Sequence, residues 1–165
     1  MHLPARGARS LDIGCGVAGI DVCIDRHDRG AAELSLLDKT SIEPAVYYGF
    51  KPKGAFYNSL LIAQSLLVQN RIPSTRIKLL EATDDSRIDA PGPFDLVVSL
   101  ISWGYHYPVS TYLTPVRERL ARDGVLILDV RDGTDGLDIL RRNFRGVEVI
   151  HDSRKDHVVR VRCEG

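Results

Sequence analysis

Ser10-Leu11-Asp12-Ile13 runs straight into Gly14-Cys15-Gly16-Val17-Ala18-Gly19, and a strand ending in so glycine-rich a turn constrains the fold of this 165-residue chain more than any other stretch. Gly14, Gly16 and Gly19 satisfy G-x-G-x-x-G, whose glycines permit a tight turn, close approach of a ligand and close packing at a helix N-terminus. The spacing points to a nucleotide-type cofactor without saying which. The discriminating residues are Asp12, two before the first glycine, and those downstream.

Strand and helix patterns alternate after the turn. Ile20, Cys23, Ile24 and His27 fall on one helical stripe that ends near Gly30. Residues 33–38 read as a second strand with Asp38 at its C-terminal end, and Thr40 to Gly54 as a loop longer than most connections. Phe56, Leu60, Ala63 and Leu67 give a second helical stripe, and Ile77–Glu81 and Phe94–Leu100 give two more strands. Thr114-Pro115 suits an N-cap and first helical position for a helix to about Ala121. The near-continuous apolar run Val125–Val130 predicts a strand buried on both faces, as in a parallel sheet. Thr134 can cap a helix carrying Leu137, Leu140 and Phe144. Two last strands, Val147–Ile150 and His157–Cys163, are joined by a link too short for anything but an antiparallel hairpin. The expectation is a three-layer α/β sandwich, Rossmann-like, with a mostly parallel seven-stranded sheet and a C-terminal antiparallel hairpin, forming a single domain over residues 1–165.

Composition narrows the class. Lys plus Arg equals Asp plus Glu at 22 each, so no global charge points to nucleic acid or an anionic membrane. Cys15, Cys23 and Cys163 are odd in number and lack metal-site spacing, which fits a reducing compartment. With no apolar run of signal or membrane-span length, the sequence reads as a soluble cytoplasmic protein.

On these residues the chain resembles the class I S-adenosylmethionine-dependent methyltransferases, whose seven-stranded sheet ends in an antiparallel hairpin and opens with an acid-x-Gly-x-Gly turn, here Asp12-Ile13-Gly14-Cys15-Gly16. Phe94-Asp95-Leu96-Val97-Val98-Ser99 is similar to the family's fourth strand, and Leu120-Ala121-Arg122-Asp123-Gly124-Val125-Leu126-Ile127 to its helix, glycine turn and fifth strand. The resemblance implies S-adenosyl-L-methionine as cofactor, held by Asp12, Gly14, Cys15, Gly16 and Gly19, by Asp38 at the ribose hydroxyls with Lys39, by Ala82, Thr83 and Asp84, and by Ser99. Thr83 stands where the family often has an Asp near the adenine amine, and Asp84 can substitute. Only about ten residues precede the first strand, so the N-terminal helices that commonly cap the cofactor are expected to be missing, or supplied by a partner or a second copy. A nicotinamide dinucleotide domain shares the glycine spacing and an acid about 20 residues on. Asp12 counts against it, because a carboxylate there would repel a pyrophosphate and suits a cationic cofactor.

Methyl transfer needs alignment and, for a hydroxyl, a base; it needs no metal. Ser99–Pro108 places chemistry at the C-terminal sheet edge, where open α/β folds bind ligands. His106 is the candidate general base, and Trp103, Tyr105 and Tyr107 candidate acceptor-lining residues, with core packing or a backbone hydrogen bond as their competing roles. For Asp12 and Asp38 the competing role is bracing the loop. Cys15 reads as a small side chain packed under the turn. Tyr47, Tyr48, Phe50, Lys51 and Lys53 suggest a lid or an acceptor surface, while Arg160 and Arg162 alternate with valines as the solvated face of the last strand. The expected acceptor is a small molecule, through a hydroxyl oxygen. Nucleic acid is disfavoured by the charge balance, and a binding module without catalysis is the reading from another class.

Overall fold

Leu34, Leu36 and Leu37 are all buried, as are Leu96, Val97 and Val98, so both faces of their strands are covered, as inner parallel strands require. The computed structural model describes residues 3–4, 9–42 and 57–165. Seven strands, β1 (Arg9–Ile13), β2 (Glu33–Asp38), β3 (Ile77–Glu81), β4 (Phe94–Ser99), β5 (Leu120–Arg131), β6 (Gly146–Ser153) and β7 (Val158–Glu164), form one sheet in the order β3-β2-β1-β4-β5-β7-β6. The ladders from β3 to β5 are parallel, and β7 runs antiparallel to both its neighbours. The mostly parallel sheet and its antiparallel terminal pair are those the sequence predicts.

Among the described residues four α-helices cover the sheet, α1 (Gly19–His27), α2 (Leu60–Gln69), α3 (Ser110–Arg119) and α4 (Gly136–Asn143). Val22, Ile24, Leu60, Ala63 and Leu67 of α1 and α2 pack with Leu34, Leu36, Leu96 and Val98 on one face. Tyr112, Val116 and Leu140 of α3 and α4 pack with Leu11, Val97, Leu126 and Leu128 on the other. Strand periodicity therefore puts Asp12, between Leu11 and Ile13, on the α1 side. A two-residue antiparallel ladder joins Ser41–Ile42 to Tyr57–Asn58. Phe56 and most of the long loop, including Tyr47, Tyr48, Phe50, Lys51 and Lys53, lie outside the described residues. No helix among the described residues is long and apolar enough to cross a membrane.

Three elements differ from expectation. The inward side of α1 carries Asp21, Val22, Ile24 and Asp25, whereas Cys23 is exposed and Ile20 only partly covered. The apolar stripe misplaces the phase because polar partners lie under the helix: Arg76 grips Asp25 at 2.7 Å, and Asp12 meets Asp21. Second, α3 starts at Ser110, so Pro115 lies inside the helix rather than at its first position. Burial of Tyr112 and Val116 outweighs the one amide hydrogen bond the proline removes. Third, the segment after β4 is extended over Ser102–Tyr107 and stands outside the seven-stranded sheet.

Candidate active site

The parallel ladders bring the C-terminal ends of β1, β2, β3 and β4 to one edge, and a cavity of about 550 Å³ opens there. Ile13 and Gly14, where β1 enters the glycine turn, line it. Gly14 has φ +75° and Gly16 φ +56°, a region L side chains avoid. A Cβ on Gly14 would stand 1.9 Å from Ser102 Oγ, so the extended segment lies directly against the turn. Gly19, the third glycine of the spacing, has open space around it and no positive φ.

Asp38 braces this turn from the end of β2. Its carboxylate accepts the Gly16 amide at 2.8 Å and the Lys39 amide at 2.7 Å, and its backbone carbonyl accepts the Ala82 amide at 2.9 Å. The Lys39 ammonium reaches the exposed Asp84 carboxylate at 3.6 Å, linking the ends of β2 and β3 at the mouth of the cavity. Ser99, fully buried, donates through Oγ to the Ile13 carbonyl at 2.6 Å and accepts the Trp103 amide at 3.0 Å. One hydroxyl thus ties the end of β4 to the end of β1 and fixes the start of the segment above them.

Of the residues singled out in the sequence, Gly14, Asp38, Lys39, Ala82, Thr83, Asp84, Trp103 and Tyr107 line the cavity. Asp12, Cys15, Gly16, Gly19, Ser99, Tyr105 and His106 do not. Asp12 and Ser99 lie beneath it, buried. Cys15 is buried in the turn, its thiol 3.6 Å from the Gly16 carbonyl. Tyr105 points toward the β6–β7 turn, donating to the Asp156 carbonyl at 3.2 Å with the Arg131 guanidinium 5.3 Å from its ring centre. His106 packs edge-on against Tyr105, and its buried Nδ1 has no hydrogen-bond partner. Burial and the nearby Arg131 hold its pKa below the usual histidine value, so the imidazole is neutral at pH 7.

The cavity also includes residues that sequence reasoning missed, among them Ser86, Ser102, Thr111 and Tyr112. Tyr112 packs edge-on against the fully buried Trp103 at 6.0 Å, and the Trp103 indole N–H donates to the Val109 carbonyl at 2.9 Å. Burial raises the Tyr112 phenol pKa, with Tyr107 and Asp38 adding to the effect across the cavity. The available signal was Tyr112 and Val116 at helical spacing after Pro108, masked by the Thr114-Pro115 start.

Arg160 corrects another expectation. Its side chain is only partly exposed and is paired: its guanidinium clamps Asp129 of β5 at 2.7 and 2.9 Å, and Asp129, fully buried, also accepts the Ile101 amide at 3.1 Å. The buried Asp129 on the neighbouring strand is what calls for an arginine on this face of β7.

The strand order decides the fold family. A sheet ordered β3-β2-β1-β4-β5-β7-β6 with β7 antiparallel departs from the all-parallel dinucleotide-binding order. Solved methyltransferase structures superpose on this chain over nearly its whole length. A proposed O-methyltransferase of Nostoc punctiforme superposes with a TM-score of 0.70 at 14% identity, over 98% of this chain and 53% of that one. A precorrin-6y methyltransferase of Geobacter metallireducens gives 0.68 at 16% identity, over 98% and 82%. An rRNA methyltransferase of T. thermophilus, in complex with AdoMet and guanosine, gives 0.67 at 16% identity, over 97% and 38%. The fold is that of the class I methyltransferases. This chain spans about half the length of the Nostoc protein and less of the Thermus one. No family model matches the sequence, and no curated protein matches it. Within the class I methyltransferase fold, the cavity occupies the crevice beyond the carboxyl ends of the strands, the usual ligand position of open α/β sheets.

Proposed function

We propose that the chain binds S-adenosyl-L-methionine in the cavity over Gly14 and transfers its methyl group to a hydroxyl oxygen of a small molecule. The observation that carries this reading is the donor set. Asp38 and Asp84 are acidic, Lys39 is the one basic lining residue among the described residues, and the buried Asp12 lies under the turn. Such a set suits a ligand bearing an ammonium and a sulfonium, and opposes a pyrophosphate. The residues present fit the cofactor: Asp38 retains lone pairs for ribose hydroxyls after accepting two amides, and Ala82, Thr83 and Asp84 border the place for a base. When bound, the cofactor supplies a methyl carbon already activated by the sulfonium.

The protein's own part is orientation and proton removal. Trp103, Tyr107 and Tyr112 form an aromatic wall for the acceptor side. His106, neutral and next in sequence to the lining residue Tyr107, is proposed as the base that takes the hydroxyl proton.

Calorimetric titration with S-adenosylmethionine, S-adenosylhomocysteine and NAD tests the cofactor. Binding of the sulfonium pair without NAD is expected; NAD binding with no response to the pair overturns the reading. Turnover over a panel of hydroxylated acceptors, followed by mass, then compares the wild type with His106→Ala. Lost turnover at unchanged cofactor affinity is expected. Loss of affinity alone sinks the base role, and binding with no turnover on any acceptor favours a cofactor-binding module.

A further inference from the structure

Asp21 is the one described residue with both carboxylate oxygens buried and lacking a hydrogen-bond donor from another residue. It sits in the first turn of α1, fully shielded from solvent, above the glycine-turn strand. The group that meets it is the carboxyl of Asp12 on β1, itself 2% exposed. Two carboxylates can only accept, so their contact becomes a hydrogen bond when one of them carries a proton. Two carboxyl groups in contact and out of water do not both ionise. We propose that Asp12 and Asp21 hold a shared proton beneath the glycine turn, and that Asp21 is thereby a positioning residue, setting the charge that Asp12 presents to a cationic cofactor.

The surroundings agree. Burial, then Asp21, holds the Asp12 carboxyl well above the usual carboxylate range, and Asp38 on β2 adds to the effect. Burial pushes Asp21 up to about 7, against the opposing pull of its contacts with Asp12 and its own backbone amide. The next acid along α1, Asp25, is neutralised by Arg76 at 2.7 Å. Ser99 of β4 brings a hydroxyl already committed to Ile13, and Cys15 a thiol held in the turn. No cation among these groups compensates the pair, so a proton does.

The role toward the cofactor rests on the reading of the preceding section. An ammonium and a sulfonium placed above the turn favour ionised Asp12, so binding releases the shared proton to solvent and leaves a carboxylate buried beneath the cation. Affinity then rises with pH across the range in which the free pair still holds its proton. S-adenosylhomocysteine lacks the sulfonium charge and releases less.

The test is calorimetric titration of the full chain with S-adenosylmethionine from pH 6 to 8.5, in two buffers of different ionisation heat. Net proton release is expected, with affinity rising by up to about tenfold per pH unit and a weaker slope for S-adenosylhomocysteine. Asp21→Asn replaces the acid by an amide that donates to Asp12 and leaves it ionised; it should bind without proton release and with a flat pH profile. A wild type that releases no proton, or an Asp21→Asn protein that keeps the wild-type slope, overturns the proposal. Carbon-13 shifts of the aspartate carboxyls in the free protein read the proton directly. An aspartate titration above about pH 6, abolished by Asp21→Asn, supports the shared proton, and its absence from the wild type defeats it. If that titration is present but S-adenosylmethionine does not bind, the shared proton stands and its role toward the cofactor falls with the cofactor reading.

Discussion

Arg160 and Asp129 are register partners across the β5–β7 ladder, and two hydrogen bonds of 2.7 and 2.9 Å join a partly exposed guanidinium to a carboxylate with no solvent exposure. The two ends of such a pair are not equivalent. Arg160→Met leaves a buried carboxylate supported by the Ile101 amide alone and should cost about 3–5 kcal/mol in urea unfolding. Asp129→Asn frees a guanidinium that can turn to water and should cost less, about 1–2 kcal/mol. Equal losses in the two variants would show that solvent access at Arg160 makes no difference.

Gly14 and Gly19 should separate although one motif contains both. Gly14→Ala imposes φ +75° on a residue with a Cβ and displaces Ser102; the conformation alone costs about 1–2 kcal/mol, and S-adenosylmethionine affinity should fall. Gly19→Ala meets open space at the first position of α1 and should stabilise by about 0.4–1 kcal/mol. Urea melts with calorimetric titration of both proteins check the contrast, which fails if Gly19→Ala is the more damaging change.

Stability should fall as pH rises from about 4 toward 7. Asp21 is pushed up to about 7 in the folded chain by burial, whereas an unfolded aspartate titrates near 3.9. Between those values the unfolded state has lost a proton that the native state keeps. Stability is full below the unfolded pKa and is lost as pH rises through the folded one, by up to about 1.4 kcal/mol per pH unit for one group. Urea midpoints measured from pH 4 to 8 should show this slope in the wild type and a shallower one in Asp21→Asn.

Trp103→Phe should cost about 1–2 kcal/mol, because the Val109 carbonyl loses its indole donor inside the core. The loss should come with a weaker grip on Tyr112, readable as a change in its near-ultraviolet circular dichroism. An unchanged melting curve would mean that the Val109 carbonyl finds another donor.

The sheet was legible because its signals are local and repeated. Apolar runs such as Val125–Leu128 admit burial on both faces, and the short link after Ser153 forces a hairpin. The ends of β1, β2 and β3 were legible for the same reason, since glycines and acids at strand termini carry a backbone or charge meaning of their own. Asp21 and Asp129 were not. An acid on the inward side of a helix, or inside an apolar strand, is explained by a partner distant in sequence: Asp12 for one, Arg160 for the other. Tyr112 escaped because Pro115 carries a strong start signal for a helix, and only the packing of Tyr112 on Trp103 shows that α3 begins earlier.

Among the described residues β6 touches the sheet through β7 alone, and β7 is inserted between β6 and β5. A chain emerging from its N-terminus therefore produces β6 before there is anything for it to pair with. The stretch Gly146–Ser153 finds its partner strand once Val158–Glu164 has been made. That edge of the sheet is therefore completed by the last residues of the stretch, with β6 held to β5 through a strand that follows it in the chain.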